Sequence, residues 1–313
     1  MKVLVTGGSG FIGSFVVERL LARGDEVVLL GDFSLGLPDT LSHLLGHKSL
    51  HLEQGDIRDP STVDRIASEA EATIHLAAIV GEDRVKREPG LAFAVNVAGT
   101  MNALEGARRH SHSRFVFSSS VATYGPSSSL SIGEESEQRP ISIYGATKLV
   151  GERLVEGYRD AFGLCATSLR FFSVYGPRER SRAQSAVFKF AGDAVSSGAI
   201  TVKGDGSEIR DFVFVEDVAD AVLLALDSKA EGAFNVGSGR GTSIGELAEM
   251  LVRFLPGLKV LHGEKGFSFI VSGAASIEKA SGILGWRPRT ELEDGLMRCI
   301  EFAKSAGKPQ SLR

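Results

Sequence analysis

Three residues of this sequence have the types and spacing of a proton-abstracting site. Tyr144 and Lys148 are four positions apart at the start of a predicted helix, so their side chains share one face of that helix. A nearby positive charge lowers the pKa of a phenol and makes its phenolate a usable base. Ser120 ends an apolar run upstream and could hydrogen-bond both the phenol and a substrate hydroxyl. A lone Tyr-x-x-x-Lys pair is common, so the interpretation depends on the elements around it.

A glycine-rich turn joins the first predicted strand to the first predicted helix. Gly7, Gly10 and Gly13 permit a tight turn, close approach of a pyrophosphate and close packing of helix on strand. The helix N-terminus at Phe11 and Ile12 adds free backbone N–H groups and the positive end of the helix dipole. The turn therefore predicts a dinucleotide site, and the alternative is a glycine turn that binds no ligand.

Polar residues follow several of the predicted strands. Asp32, after the second strand, could accept hydrogen bonds from ribose hydroxyls and would repel the additional phosphate of NADP, which favours NAD as the cofactor. Asp56, after the third strand, either contacts adenine or caps its own loop. Ser118 belongs to the serine run that ends a later strand on the expected cofactor side.

The elements that must position these residues alternate between strand and helix. Strands alternating with helices imply parallel pairing through right-handed crossovers, so the sequence predicts an α/β fold with a doubly wound parallel sheet. The ligand of such a sheet lies beyond the carboxyl ends of the strands. The predicted strands are 2–5, 26–30, 50–52, 73–76, 115–117 and 166–169, and the predicted helices are 11–23, 62–70, 91–109 and 144–161.

The alternation ends near residue 173, where we expect a smaller C-terminal substrate-binding lobe. Residues 1–172 form the predicted dinucleotide-binding domain, and residues 211–236 partly return to it. The lobe would consist of residues 173–210 and 237–313, ending in a frayed tail at 307–313. Its predicted elements are helices at 218–226, 244–254 and 292–303 and strands at 212–215 and 234–236.

Ordered motifs along nearly the whole chain resemble the UDP-galactose (UDP-glucose) 4-epimerase family of extended short-chain dehydrogenases. Their number and order make the resemblance specific for this superfamily, and less specific for the reaction. The matching segments are 7–13, 55–59, 75–78, 96–100, 118–120, 124–125, 144–148, 170–177, 204–206, 210–212, 217–219 and 284–288.

The resemblance implies a role for each matching residue. Tyr144 would be the base, Ser120 its hydroxyl partner, and Lys148 the group that binds the nicotinamide ribose and tunes Tyr144. It further implies a Rossmann-type domain, NAD as cofactor, a nucleotide sugar as substrate, and a homodimer through a four-helix bundle of helices 91–109 and 144–161. Arg210 and Ser173, together with Ser120 and Tyr144, would contact the substrate. The implied cofactor contacts are Gly7, Gly10, Phe11, Ile12, Gly13, Asp32, Asp56, Ile57, Leu76, Ala77, Ala78, Asn96, Ser118, Tyr144 and Lys148, with Asn96 mainly supporting the strand ends.

The chain departs from the family pattern at several positions. The ribose aspartate of the family falls on Gly31, with Asp32 one place later, and a substrate-contacting asparagine is replaced by Ser173. A late arginine that contacts the diphosphate is missing, and Lys265 is the charge available in that region. Two further arginines, Arg178 and Arg180, either touch phosphate or are solvated loop charges. The sugar and the nucleotide base are therefore open.

The leading hypothesis is reversible oxidation at C4 of a nucleotide-linked hexose, which epimerises that carbon. A 4,6-dehydratase or a decarboxylase needs acidic groups directly after Ser120, where the chain has Val121 and Ala122. A 4-keto-sugar reductase is the nearest alternative and would consume reduced cofactor stoichiometrically. A non-catalytic NAD-binding protein is a distant alternative, because binding alone needs no activated phenol.

The composition excludes several other classes. The 313 residues carry a net charge of −4, so no basic field favours nucleic acid, and no apolar stretch is long enough to cross a membrane. Cys165 and Cys299 lie far apart and have no metal-ligand spacing, so we expect reduced, buried thiols, no metal and a cytoplasmic protein without a leader. His75 near a strand end is expected to be a packed imidazole rather than a base.

Overall fold

The computed structural model describes residues 1–33, 40–126, 129–179, 185–264 and 272–306. The predictions for Arg180, Lys265 and the tail at 307–313 lie outside these residues. Within the described residues the strands are β1 (Lys2–Thr6), β2 (Glu26–Gly31), β3 (Leu50–Gln54), β4 (Ala72–His75), β5 (Arg114–Ser120), β6 (Ser131–Ile132), β7 (Ala166–Phe171), β8 (Ser173–Tyr175), β9 (Ala199–Lys203), β10 (Ile209–Phe214), β11 (Gly232–Val236), β12 (Gly241–Ser243), β13 (Lys259–Gly263) and β14 (Ala274–Ala275). The α-helices are α1 (Phe11–Arg23), α2 (Pro60–Ala67), α3 (Glu82–Arg87), α4 (Pro89–Phe93), α5 (Gly99–Arg109), α6 (Ile143–Phe162), α7 (Ala186–Ser197), α8 (Val215–Asp227), α9 (Ile244–Phe254) and α10 (Leu292–Ala306).

A parallel sheet of seven strands forms the centre of the molecule, in the order β11-β7-β5-β4-β1-β2-β3. The order runs outward in both directions from β1 and β4, which confirms the predicted doubly wound α/β fold. All carboxyl ends of a parallel sheet lie at the same edge. The residues that end β1, β4 and β5 therefore meet there, and these are Thr6, His75 and Ser120.

Helices cover both faces of this sheet, so its strands are apolar on both sides. On one face α1 and α8 pack on the sheet, with Val16 and Val222 in the shared core. On the other face α2, α5 and α6 contribute Val63, Leu104 and Val155 to a second core. The sheet is thereby a rigid platform, and its carboxyl edge is the part left for ligands.

The chain beyond β7 builds a separate set of small sheets. Strand β10 pairs in parallel with β8 and antiparallel with β12, while β11 joins the edge of the seven-stranded sheet next to β7. Helices α7, α9 and α10 enclose a further apolar core that contains Tyr175 and Phe214. The division into a dinucleotide-binding domain and a substrate-binding lobe stays a proposal that this topology supports.

The helix predicted at 91–109 consists of three successive segments in the structure. Between α4 and α5 the backbone widens into a π-helical stretch at Ala94–Ala98. Asn96, at the centre of this stretch, is buried and bonds both backbone groups of Ile79, the N–H at 2.7 Å and the carbonyl at 3.0 Å. A π-turn within a helix commonly marks a functional site. Here it turns an amide side chain toward the loop that follows β4.

No helix of the described residues is both long enough and apolar enough to cross a bilayer.

Candidate active site

Ser120 and Tyr144 come together at the carboxyl edge of the sheet. Ser120 is the last residue of β5, and its hydroxyl accepts a bond from the Ala122 N–H at 3.2 Å. Helix α6 begins after Ser142, whose hydroxyl caps the helix by accepting the Gly145 N–H at 3.0 Å. This start places Tyr144 in the first turn, where the Ser120 hydroxyl acts on its phenol and favours the phenolate. The predicted base and its predicted partner are therefore side by side.

Two glycines of α6 allow this contact. A Cβ at Gly145 would overlap the carbonyl oxygen of Ala122, in the short 3₁₀ turn after Ser120. A Cβ at Gly151 would overlap the ring of Phe117 on β5. The absence of both side chains lets α6 lie directly against β5 and the turn that follows it.

The enclosed phenol of Tyr144 holds its proton firmly in this structure. Burial raises the pKa of Tyr144 to about 12. The hydrogen bond from Ser120 acts in the opposite direction because it stabilises the phenolate, whereas the negative charge of Glu82 raises the pKa further. A positive charge near the phenol is needed before Tyr144 can act as a base at neutral pH.

Lys148 lies one turn further along α6 and is 3% exposed. Its ammonium donates to the Ser118 carbonyl at 2.7 Å and lies 5.0 Å from the centre of the Phe117 ring. Burial lowers the pKa of Lys148 to about 7, and the negative charge of Glu152 opposes that shift. The ammonium is thus bonded to the end of β5, and its predicted roles toward ribose and Tyr144 stay predictions.

A buried polar cluster supports the site from behind. The Ser119 hydroxyl bonds Glu152, which pairs through both oxygens with Arg170, at 2.9 and 2.7 Å. Arg170 also donates to the Tyr124 hydroxyl at 2.8 Å, and Tyr124 donates to Asn235 at 2.6 Å. The cluster joins β5, β7, β11 and α6. Glu152 lies four residues after Lys148 and therefore on the same helix face, a spacing that could have indicated it from the sequence.

Asn96 connects the loop after β4 to the catalytic helix. Besides its two bonds to Ile79, its amide donates to the Thr147 hydroxyl at 3.0 Å. Thr147 lies between Tyr144 and Lys148 in sequence, so Asn96 fixes the part of α6 that carries both. Leu76, Ala77 and Ala78 occupy the start of the same loop and are half-buried.

The glycine turn has the shape that a dinucleotide pyrophosphate requires. Gly7 has φ +69°, and a Cβ there would lie 2.6 Å from the Ala77 nitrogen. A Cβ at Gly13 would overlap the Gly7 carbonyl oxygen, and one at Gly10 would lie 3.2 Å from it. Helix α1 has no side-chain cap, which leaves the first-turn amides, those of Phe11 and Ile12 among them, to an anion. These residues fit the predicted cofactor.

The part of the expected cofactor site that would bind adenosine lies beside β2 and β3. Asp32 is exposed directly after β2, and its charge acts on the guanidinium of Arg58. Asp56 accepts the Arg58 N–H at 2.8 Å and pairs with its side chain, which is the loop-capping contact considered as the alternative to adenine binding. Ile57 is buried against Gly99. A Cβ at Gly31 would lie 3.3 Å from the Phe33 ring, so an aspartate there would need Phe33 to shift.

The predicted substrate residues Ser173 and Arg210 lie on neighbouring strands, β8 and β10. Ser173 pairs with Phe212, two residues from Arg210. The Arg210 guanidinium is held by Glu208, at 2.8 Å from Nε and 2.7 Å from Nη2. Ser173 and Arg210 are separated in sequence from the catalytic pair, and no hydrogen bond or salt bridge joins these four described residues across the two sets.

Arg178 has a partner that neither interpretation of the sequence included. Its guanidinium makes two bonds to the carboxylate of Glu18 on α1, at 2.8 and 3.1 Å, and lies 4.3 Å from the centre of the Phe15 ring. The residue is thus neither an unpaired phosphate ligand nor a solvated loop charge. It ties the segment after β8 to α1.

His75 is a packed imidazole, as expected. It is fully buried and bonds the hydroxyls of Thr6 at 2.7 Å and Thr100 at 2.9 Å. Burial lowers the pKa of His75 to about 3, so the ring is neutral at physiological pH. Of the two thiols, which we expected to be buried, Cys299 is buried, whereas Cys165, directly before β7, is only half-buried.

Comparison with known proteins places the chain in a family. The model of the NAD dependent epimerase/dehydratase family matches residues 3–237. The chain belongs to this family. A UDP-glucose 4-epimerase of Mycolicibacterium smegmatis is 33% identical over 311 residues, which cover 97% of this chain and 99% of that protein. UDP-glucuronate 4-epimerase 2 of Arabidopsis thaliana is 31% identical, over 98% of this chain and 78% of its own. The crystal structure of a UDP-glucose 4-epimerase of Thermotoga maritima with UDP-glucose has a TM-score of 0.91 at 31% identity, covering 98% of this chain and all of the other.

Membership in the NAD dependent epimerase/dehydratase family confirms the resemblance seen in the sequence and the prediction of NAD as cofactor. The chain is therefore an enzyme of this family, and the relatives compared above are epimerases of UDP-sugars. Those relatives differ in the sugar, since one is named for UDP-glucose and another for UDP-glucuronate. The sugar of this epimerase/dehydratase must therefore be argued from its own residues.

Proposed function

We propose that this enzyme interconverts the C4 epimers of a UDP-hexose of the glucose and galactose type through a transient 4-keto sugar. The observation that carries the proposal is the position of the Ser120 hydroxyl beside the Tyr144 phenol, where it favours the phenolate, at the same sheet edge as the glycine turn. The glycine turn at Gly7, Gly10 and Gly13 would hold NAD, which would supply reversible hydride transfer at C4.

The chain's own residues handle the proton and hold the reactants. Tyr144 removes the proton of the C4 hydroxyl and returns it after the sugar has turned over. Ser120 orients that hydroxyl and stabilises the phenolate, as its effect on the pKa of Tyr144 already indicates. Lys148 binds the nicotinamide ribose and keeps a positive charge near the phenol. Arg210 and Ser173 hold the diphosphate side of the substrate, which supplies binding energy while the sugar stays free to turn.

The turn after Ser120 argues against the related eliminations. Val121 and Ala122 form a 3₁₀ turn at the position where a dehydratase or a decarboxylase places acidic groups. A 4-keto-sugar reductase shares the first oxidation site, and stoichiometric loss of reduced cofactor distinguishes it from an epimerase.

The test is proton NMR of UDP-glucose, UDP-N-acetylglucosamine and UDP-glucuronate incubated with the purified enzyme and catalytic NAD⁺. We expect the C4 epimer to form without net change in NADH absorbance. Tyr144→Phe should lower kcat by roughly 100- to 10,000-fold, because it removes a general base, with little effect on substrate binding. A 4-keto-6-deoxy product, release of CO₂, or one NADH formed for each sugar consumed would contradict the proposal.

A further inference from the structure

Glu82 begins a short helix, α3, that packs against the helix carrying Tyr144. Gly81, with φ +87°, redirects the chain after the β4 loop, and Glu82 is the first residue of α3. Helix α3 packs against α6 through Val85, which belongs to a small apolar cluster with Ile79 that the Tyr144 side chain contacts. The first turn of α3 is thereby held next to the first turn of α6.

The charge of Glu82 is not neutralised locally. Glu82 is half-buried, and among the described residues it has no salt-bridge partner. The cation nearest in sequence, Arg84, pairs with Glu88 at 3.9 Å, toward the other end of α3. The negative charge of Glu82 reaches the Tyr144 phenol strongly enough to raise the pKa of that group. A partly desolvated charge acts on its neighbours with less screening than a surface charge.

The phenol of Tyr144 must meet the C4 hydroxyl of the sugar, so groups beside that phenol face the substituents of neighbouring ring carbons. A hexuronate carries a carboxylate on C5, adjacent to C4, whereas a neutral hexose carries a hydroxymethyl group there. An unpaired carboxylate of the protein at this position repels the first and accepts a hydrogen bond from the second.

We propose that Glu82 makes the sugar site selective for a neutral UDP-hexose over a UDP-hexuronate. The inference rests on the proposed C4 epimerase function, and it assigns the chemical class of the sugar through a residue that the sequence motifs did not indicate. The selectivity comes from repulsion, which rejects a charged analogue that would otherwise fit.

The test compares Glu82→Gln with Asp83→Asn, an equal change of charge at the exposed neighbouring residue of the same turn. In NAD-loaded enzyme, we expect the ratio of kcat/KM for UDP-glucose over UDP-glucuronate to fall about tenfold in Glu82→Gln. The ratio should change less than twofold in Asp83→Asn and in Glu82→Asp, which keeps the charge. Calorimetric Kd values for both nucleotide sugars, measured in a Tyr144→Phe background, should show the same shift in ratio without turnover.

The outcomes separate this inference from the proposed function. A wild-type enzyme that prefers UDP-glucuronate, or equal shifts in Glu82→Gln and Asp83→Asn, would overturn the role of Glu82 while leaving C4 epimerisation intact. If no UDP-sugar is epimerised but the Kd ratio still shifts in Glu82→Gln alone, the proposed function fails and the selectivity of the site stands. If Glu82→Gln does not fold, Glu82→Ala, which also removes the charge, takes its place, and an unchanged Kd ratio in that variant would overturn the role of Glu82.

Discussion

At the scale of single residues, the site combines a phenol that holds its proton with an amine that binds its proton weakly. Burial is the main cause of both shifts, since it disfavours the phenolate of Tyr144 and the ammonium of Lys148 alike. Catalysis requires Tyr144 as a phenolate and Lys148 as an ammonium, and burial makes each of these charged forms unfavourable. The positive nicotinamide ring and the ribose hydroxyls of the family's cofactor are the groups that would reverse this balance, so cofactor binding and activation of the base are coupled.

The lowered pKa of Lys148 predicts that this residue reduces the stability of the fold while it supports activity. The pKa of Lys148 is about 7 in the folded protein, against the usual 10.5. Between pH 7 and pH 10.5 the folded protein therefore binds fewer protons than the unfolded chain. The stability of the cofactor-free protein therefore rises with pH across this window. Lys148→Met removes the buried charge, and we expect it to raise the free energy of unfolding at pH 7 by roughly 2–4 kcal/mol. The same change should lower kcat by roughly 100-fold or more.

Urea unfolding of both proteins at pH 7 and pH 10 provides the measurement. The difference in the free energy of unfolding between Lys148→Met and wild type should shrink toward pH 10, where the amine of the folded wild type is already largely neutral. A variant less stable than wild type at pH 7 would show that the bond from Lys148 to the Ser118 carbonyl outweighs the cost of burying the charge.

At the scale of elements, the position of α6 on β5 decides whether Ser120 and Tyr144 can touch. Gly145→Ala places a methyl group against the Ala122 carbonyl, a backbone atom that cannot move alone. We expect the first turn of α6 to be displaced, with a fall in kcat of roughly tenfold to 100-fold, since small misplacements of reacting groups are costly. The melting temperature should fall as well.

The control lies on a helix outside the predicted dimer surface. A Cβ at Gly192, within α7, meets open space, so Gly192→Ala should raise the free energy of unfolding by about 0.5–1 kcal/mol through helix propensity alone and leave kcat unchanged. Steady-state kinetics and thermal unfolding of the two variants decide the matter. Equal behaviour of the two would mean that the packing of α6 on the 3₁₀ turn does not control the site.

The sequence was sufficient for those parts of the site that local patterns encode. The glycine turn, the strand-end serines and Tyr144 with Lys148 follow from spacing, because each pattern lies within one turn or one helix. The pairing of Arg178 with Glu18 joins residues 160 positions apart, and no local pattern predicts it. The π-helical stretch around Asn96 depends on a bond to the β4 loop, and the effect of Glu82 on the pKa of Tyr144 depends on how α3 packs on α6. Such features arise from tertiary contacts, which cannot be predicted from the hydrophobic periodicity of the sequence.

At the scale of the whole molecule, the outer faces of α4, α5 and α6 carry an apolar surface. Phe93, Met101, Ile143 and Val150 are 58%, 46%, 46% and 40% exposed, and the last two are seven positions apart on one face of α6. Helices α5 and α6 pack side by side, so these residues lie on neighbouring helices. Apolar side chains grouped in this way are typical of an interface. The predicted homodimer through a four-helix bundle would cover them.

We therefore expect the purified enzyme to be a dimer, and Met101→Glu combined with Val150→Glu to yield monomers. Two carboxylates in an apolar interface would face their symmetry mates, and the repulsion with the cost of desolvation should raise the dimer dissociation constant by several orders of magnitude. Light scattering after size exclusion measures the mass directly.

Leu224→Glu on α8 is the control, because it adds one charge at a similarly exposed leucine on the opposite face of the sheet. A wild-type protein that is monomeric at micromolar concentration, or a double variant that stays dimeric, would place any interface elsewhere. Because Tyr144 and Val150 share α6, the predicted dimer would also support the helix that carries the base, so we expect monomers to lose activity along with thermal stability.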